Sequence, residues 1–353
     1  MKGTRTGLRA AVLLSAACGV NALSAHHSVA GFFNPDKLIE IEGVVTGTLW
    51  RNPHTEFEVE VTEPSGESKM WRVETGAISV LRARGLDWEF LHEGDQVKAY
   101  GLESLRGRDE IFAYNLLLSS GTEVLLTTRS SRYFTRSGAG ELLASVYDEE
   151  TTAAARRDAD GIFRVWSTNL GEIPHSGVQM FHGNYSMTEE AETRRSEWDA
   201  GDPTLLGCTE WNMPYLMYNP LPMQFVREGE DILLRFEEDD NERVIYMNSD
   251  AVNTSGADPL LGHSTGYWDD DSLVVETDSL EPNVLDVRGT PFSSSIQLIE
   301  RFTPSTDGGR LLYRLRVTDP ETFTEPFEVE RYWIWRPEIA VARYACAEEQ
   351  RLP

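Results

Sequence analysis

Three histidines are the residues in this sequence best suited to bind a metal ion. His26 and His27 are adjacent in "SAHHSVAGFF", and His54 follows in "RNPHTEFEVE". If a leader is cut after Ala25, His26 offers its free amine and its imidazole, and His27 or His54 adds another nitrogen. If the cut follows Ser24, a histidine in third place lets the amine, two backbone amides and an imidazole form a square-planar site. These nitrogens suit Cu(II), so the spacing predicts copper binding. The alternative is an exposed chain end without a metal, with Asn-Pro-His merely shaping a turn.

A second group of titratable residues is suited to acid–base chemistry. His263 and Asp269 are close together in "GHSTGYWDDDS", and Glu238 lies in "EEDDNER". Such groups can move protons, which predicts a metal-independent lyase, isomerase or hydrolase that uses His263 with Glu238 or Asp269. The alternative is structural, because "EEDDNER" separates two apolar runs where a hairpin needs turn-forming residues. Glu237 and Arg243 can pair across that hairpin and point into a barrel.

An aromatic and methionine-rich stretch, "CTEWNMPYLMYNPLPMQF", favours contact with an apolar molecule. Its side chains are large and adaptable, and a nearby loop adds further aromatic surface suited to a pocket. The predicted ligand-binding residues are Trp211, Tyr215, Met217, Tyr267, Trp268 and Arg243. We therefore expect the second half of the protein to bind an apolar or aromatic small molecule.

Residues 1–25 have the pattern of an export leader. Lys2, Arg5 and Arg9 precede the apolar run "AAVLLSAACGV", and small residues follow. The run is shorter than the roughly 20 residues that a membrane span needs, and no later stretch is long and apolar enough. We therefore expect a periplasmic or secreted protein without a transmembrane segment. The alternative is lipid attachment at Cys18, although Ser15 stands where that motif usually has a large aliphatic residue.

Removal of the leader would leave two cysteines, Cys208 and Cys346. In an oxidising compartment they allow a single intramolecular pairing. We expect a Cys208–Cys346 disulfide that straps down the methionine-rich stretch, and two separate buried thiols are the alternative.

The composition limits the size of the fold and the kinds of partner. A chain of 353 residues is long enough for two domains. Its formal net charge of -26 would repel the phosphates of nucleic acids and anionic membranes. A small molecule is therefore the expected partner.

Alternating hydrophobicity predicts the strands that would position these residues. In "TEFEVEVTE", Phe57, Val59 and Val61 face one way and glutamates face the other. Five such strands, with the short helix "ISVLRARGL" between the third and fourth, predict a small OB-like barrel over residues 26–125. The polar stretch 126–160 is expected to be a linker with one weak helix.

From residue 161 onward, strands recur about every ten residues and are separated by turns such as "DDNE" and "STDGG". This spacing predicts an antiparallel β-barrel or strongly curved sheet over residues 161–353. The fold class is therefore mainly β, with a small OB-like barrel followed by a larger antiparallel domain.

Two resemblances accompany this prediction. The stretch from Ala25 to His54 resembles a family of small secreted bacterial proteins of unknown function, through an Ala-His-His-Ser start, Gly43 in a strand, and Asn-Pro-His after Trp50. The second half, with "LGHSTGYWDDDSLVVET" and "YAC", resembles a widespread uncharacterised exported bacterial module. Both resemblances imply export and a division into two domains, and neither implies an activity.

Overall fold

The computed structural model describes residues 32–50, 52, 54–82, 86, 90–127, 130–136, 149–168, 180–181, 184–198, 210–218, 221–248, 258–286 and 288–344. Within these ranges the chain forms two sheets, one built from the first six strands and one from the following nine. The prediction of a mainly β protein is confirmed.

The first domain consists of one six-stranded sheet and a short helix. Its elements are β1 (Phe33–Leu49), β2 (Glu56–Thr62), β3 (Ser68–Glu74), α1 (Ile78–Arg82), β4 (Gln96–Ser104), β5 (Glu110–Leu118) and β6 (Glu123–Leu125). Strand β1 pairs with both β2 and β4, and β3 pairs in parallel with β5. The first five strands therefore close on themselves in the order 1-2-3-5-4, with α1 between β3 and β4, as in the expected OB-like barrel.

Burial follows the alternation that predicted these strands. On β2, Phe57 and Val59 are buried in the core of this domain, whereas Glu58 and Glu60 are exposed. A two-residue period puts alternate side chains on opposite faces of a sheet. Each buried apolar side chain of this size contributes about 1.5–3 kcal/mol to folding.

Two glycines permit the close approach of strands in this barrel. A Cβ at Gly43 would lie 2.3 Å from the carbonyl oxygen of Glu60, and one at Gly101 would lie 1.9 Å from that of Phe112. No side chain fits at these distances, so both positions require glycine.

The second domain is a closed barrel of nine strands. The strands are β7 (Val165–Ser167), β8 (Met223–Glu228), β9 (Asp231–Phe236), β10 (Glu242–Tyr246), β11 (His263–Asp269), β12 (Ser272–Asp278), β13 (Gln297–Pro304), β14 (Arg310–Thr318) and β15 (Phe327–Trp335). Short 3-10 helices at Tyr215–Met217 and Glu238–Asp240 accompany them.

Strand β14 shows most clearly why this sheet forms. The residues at every second position from Leu311 to Val317 are buried, while the alternate residues from Arg310 to Arg316, Leu312 among them, are exposed. The inward side chains join one continuous core that includes Phe302. The barrel is thus filled by side chains from its own strands.

One pair of barrel strands departs from the expected antiparallel pattern. β10 and β11 run parallel, with Ile245 opposite Ser264. A parallel pair requires a connection that returns the chain to the end from which the first strand starts, which a two-residue hairpin turn does not provide.

Two further helices lie outside the sheets. Helix α2 (Glu149–Arg157) falls within the stretch 126–160. Helix α3 (Glu189–Ser196) has Thr188 as its N-cap, and the hydroxyl of Thr188 accepts a hydrogen bond from Ala191 N. Across the described ranges, no helix has both the length and the apolar character needed to cross a membrane.

Candidate functional site

A buried ion pair occupies the interior of the second domain. Arg243 on β10 is 1% exposed and makes a bidentate contact with Glu300 on β13, which is fully buried. Arg243 also donates to Thr277 and Ser264, and the hydroxyl of Tyr313 donates to Glu300 at 2.9 Å. The predicted ligand-binding residue Arg243 is therefore already bound within the protein. It does point into the barrel as expected, but its carboxylate partner is Glu300.

The methionine-rich stretch lies across one end of the barrel. Residues 211–218, called the plug below, are buried apart from a partly exposed Trp211. The backbone N–H of Met213 donates to Leu260 O at 2.8 Å. The guanidinium of Arg331 on β15 donates to the carbonyls of Met217 and Tyr218 at 2.7 and 2.9 Å. Burial lowers the pKa of Arg331 to about 9. The plug is thus fixed to the barrel wall.

The predicted ligand-binding residues fall into two groups. Trp211 stacks on Tyr215 in the plug, with ring centres 4.3 Å apart. Tyr267 and Trp268 lie near the carboxy-terminal end of β11, and they are 51% and 46% exposed. Trp268 contacts Phe163 there, with ring centres 6.2 Å apart. The structure therefore does not gather all six residues around one pocket.

The three predicted acid–base residues are also separated. Asp269 is an exposed partner of Arg301, six positions along β11 from His263, or roughly 20 Å in an extended strand. His263 is buried and stacks on Tyr246 at 5.3 Å, and its Nε2 has no hydrogen-bond partner among the described residues. Glu238 accepts a hydrogen bond from the hydroxyl of Tyr344.

Residues 237–240, which form the turn between β9 and β10, are called the acidic turn below. This turn is much less solvated than an ordinary hairpin turn with the same residue types. Glu237 is 1% exposed and Glu238 is 5% exposed. Burial raises the pKa of Glu237 to about 7 and that of Asp239 to about 7. Four consecutive acidic residues would repel one another if all were ionised. This repulsion was the available sign in the sequence that their environment is unusual.

The segment after β15, residues 336–344, covers the acidic turn and is called the strap below. Ala342 N donates to Glu237 at 3.2 Å, and the hydroxyl of Tyr344 donates to Glu238 at 3.1 Å. Tyr344 N also donates to Asp240 at 2.9 Å. The expected pairing of Glu237 with Arg243 is not observed, because Glu237 faces the strap and Arg243 faces the barrel interior.

Asn52 connects the first domain to this strap. Its side-chain amide donates to Tyr344 O at 2.6 Å and accepts from the backbone N–H of Ile78 at 3.0 Å. The asparagine of the Asn-Pro-His motif thus has a structural role at the junction between the two domains.

His54 of the same motif belongs to a charged cluster in the first domain. Its Nδ1 lies 2.5 Å from the carboxylate of Glu74, which is 7% exposed at the end of β3. Burial opposes ionisation of Glu74, but His54 and Arg72 outweigh it and lower the pKa of that carboxyl. Because Nδ1 is directed at a carboxylate, any metal ligand supplied by this ring would be its Nε2.

His26, His27, Cys208 and Cys346 lie outside the described residues. Within the described ranges, no group of three or more His, Cys, Asp or Glu side chains is arranged to hold a metal ion. Residues near the two cysteines do converge, since Trp211 N donates to Asp239 while Tyr344 N donates to the adjacent Asp240.

Comparison with known families gives one match. Residues 13–110 match the model of DUF6152, a family of unknown function. The matched region includes the adjacent histidines, Gly43 and the Asn-Pro-His motif, in agreement with the resemblance of the first domain to a family of unknown function. The comparisons give no support for the resemblance of the second domain to an exported module. No curated protein matches the chain.

Proposed function

We propose that the protein is exported and binds Cu(II) through its trimmed amino terminus together with His54. The observation that carries this proposal is the contact between His54 Nδ1 and the buried carboxylate of Glu74. Metal-binding histidines commonly donate their second ring nitrogen to a carboxylate, which fixes the orientation of the ring and increases its basicity.

The start of β1 supports the involvement of the amino-terminal histidines. The rings of Phe33 and His54 lie 5.6 and 5.8 Å from the same ring, that of Phe112. Phe33 lies six positions after His27, a stretch that spans at most about 20 Å when extended. The chain entering β1 can therefore bring His26 and His27 to His54.

The ligand chemistry favours copper over harder cations. A free amine and imidazole nitrogens form tetragonal sites that suit Cu(II), whereas magnesium and calcium prefer oxygen ligands. A cut after Ala25 leaves a position for the imidazole of His54, whereas a cut after Ser24 lets the terminus supply four nitrogens by itself, so the dependence on His54 is expected for a chain that starts at His26.

The test begins with the mature protein purified from its native compartment, whose first residue is determined by mass spectrometry. Cu(II) titration followed by electron paramagnetic resonance should show one tightly bound ion per chain. H54Q should lower the affinity at least tenfold, in the range found when metal-supporting residues are lost. H92Q is the matched control, because His92 is an exposed histidine that also lies near a carboxylate, that of Asp95. A mature chain that starts at Ser28 or later, or equal affinity in H54Q and H92Q, would refute the proposal.

A second candidate function is the binding of an aromatic or apolar small molecule by the second domain. The exposed rings of Tyr267 and Trp268 favour this function. Trp268 packs on Phe163, and the guanidinium of Arg227 lies over the ring of Phe163. Exposed aromatic clusters of this kind are common at binding sites. Ligand titration monitored by tryptophan fluorescence should lose its response in W268A, and an unchanged response would count against this surface.

A further inference from the structure

The acidic turn fastens the strap to the barrel. Glu237, Glu238 and Asp240 accept hydrogen bonds from Ala342 N, Tyr344 OH and Tyr344 N respectively. All of these donors are neutral groups. In these three bonds the strap contributes backbone N–H groups and a phenol, and no lysine or arginine of the strap takes part.

The same turn also contacts the plug and faces the first domain. Asp239 accepts a hydrogen bond from Trp211 N at 3.2 Å. Glu237 faces Ser79 and Arg82 of α1. Asn52 then ties α1 to the carbonyl of Tyr344. Displacing the strap would thus break a contact between the two domains.

We propose that the acidic turn is a pH-sensitive latch, which holds the strap closed in mildly acidic conditions and loosens it as the pH rises through neutrality. This inference is independent of copper binding, since none of its residues is a proposed metal ligand.

Negative groups predominate around the titrating carboxyls. Among the residues that the structure describes, Arg82 is a positive group that faces Glu237, whereas Asp240 faces both Glu237 and Asp239, and Glu210 faces Asp239. The phenols of Tyr344 and Tyr215 lie close to Glu238. Ionisation of Glu237 and Asp239 would place additional negative charge in this poorly hydrated region.

The direction of the pH effect follows from this environment. Burial raises the pKa of both Glu237 and Asp239 to about 7, from 4.5 and 3.8, and outweighs the hydrogen bonds from Ala342 N and Trp211 N, which act in the opposite direction. The closed state therefore favours the protonated forms, while opening of the strap hydrates the carboxylates and favours their ionised forms. Closure weakens as the pH rises above the ordinary carboxyl values, and the effect levels off above about 7.

Trypsin provides a direct measurement of strap opening, because Arg343 is exposed while the following Tyr344 is buried. Cleavage after Arg343 requires local opening, and its rate reports the open population when opening is fast. Normalised at each pH to cleavage of an unfolded peptide of the same sequence, the rate in wild-type protein should rise about a hundredfold between pH 6 and pH 8, about tenfold for each of the two carboxyls.

The double variant E237Q/D239N should abolish most of this pH dependence, leaving a change of less than about twofold. E242Q is the matched control, because Glu242 is an exposed glutamate just beyond the turn that pairs with Arg235. Should the double variant fold poorly, hydrogen exchange at Ala342 and Tyr344 in wild-type protein provides the same readout. A cleavage rate and amide protection that stay constant, or that indicate tighter closure at pH 8, would overturn the latch.

Discussion

The buried pair of Arg243 and Glu300 makes a strong prediction about the stability of the second domain. R243M preserves much of the side-chain volume but removes the guanidinium, which leaves the hydroxyl of Tyr313 as the remaining hydrogen-bond donor to Glu300 among the described residues. Breaking one side of a buried ion pair typically costs 3–5 kcal/mol, because the remaining charge is uncompensated. In a domain of about 150–250 residues, that loss corresponds to a fall of roughly 10 °C in melting temperature.

Differential scanning calorimetry of wild type, R243M and the double variant R243M/E300L measures this effect. The double variant removes both charges and should recover most of the loss, because apolar replacement of a whole buried pair is often close to neutral. R314M is the matched control. Arg314 forms an exposed pair with Glu330 on the same barrel, and its removal should cost less than about 1 kcal/mol.

The results that would refute this reasoning are specific. A decrease of under about 3 °C in R243M would show that Glu300 without its guanidinium partner costs the fold little free energy. A double variant no more stable than R243M would show that lost packing, and not an unpaired charge, dominates the destabilisation.

Two further predictions concern the first domain and the cysteines. Glu123 is fully buried and accepts hydrogen bonds from Asn115 and Thr135; although burial opposes its ionisation, these and neighbouring hydrogen bonds lower its pKa. The ionised Glu123 therefore stabilises the fold above the ordinary glutamate pKa of 4.5, and this stabilisation is lost as the pH falls through the lower folded-state pKa. We expect E123Q to lower the free energy of unfolding, measured in urea, by about 1–3 kcal/mol at pH 7. At pH 3 the decrease should be smaller. A pH-independent difference would contradict that explanation. Cys208 and Cys346 should appear as one linked peptide in a non-reducing peptide map of the exported protein, and alkylation of both thiols without reduction would exclude the bond.

Local patterns in the sequence were sufficient to predict most strands. The alternation on β2 and β14 has the same period as the observed burial, and the helix in the OB-like barrel lies where the pattern placed it. These features depend on neighbours along the chain. The interpretation was less successful where partners are far apart in sequence, as with Arg243 and Glu300, which lie 57 positions apart.

The acidic turn illustrates the same limit at a candidate site. Its residues are typical of a solvated hairpin, and the chain does turn there. The strap that contacts them lies far along the chain, since Ala342 is 105 positions after Glu237. The parallel pairing of β10 with β11 could not be predicted from alternating hydrophobicity either, because that pattern does not show the direction of a strand relative to its neighbour. By contrast, His54 was identified from residue type alone, but its carboxylate partner became visible only when β3 was placed beside it.

The nine-stranded ring is completed by its shortest member, the three-residue strand β7, which joins β8 to β15. Because β15 is the last strand to be synthesised, the ring cannot be completed while that strand is still absent. Until then, β7 and β14 each present an open edge to any neighbouring chain. A protein truncated before Phe327 would keep those edges exposed permanently, so the arrival of β15 removes two surfaces on which other copies could associate.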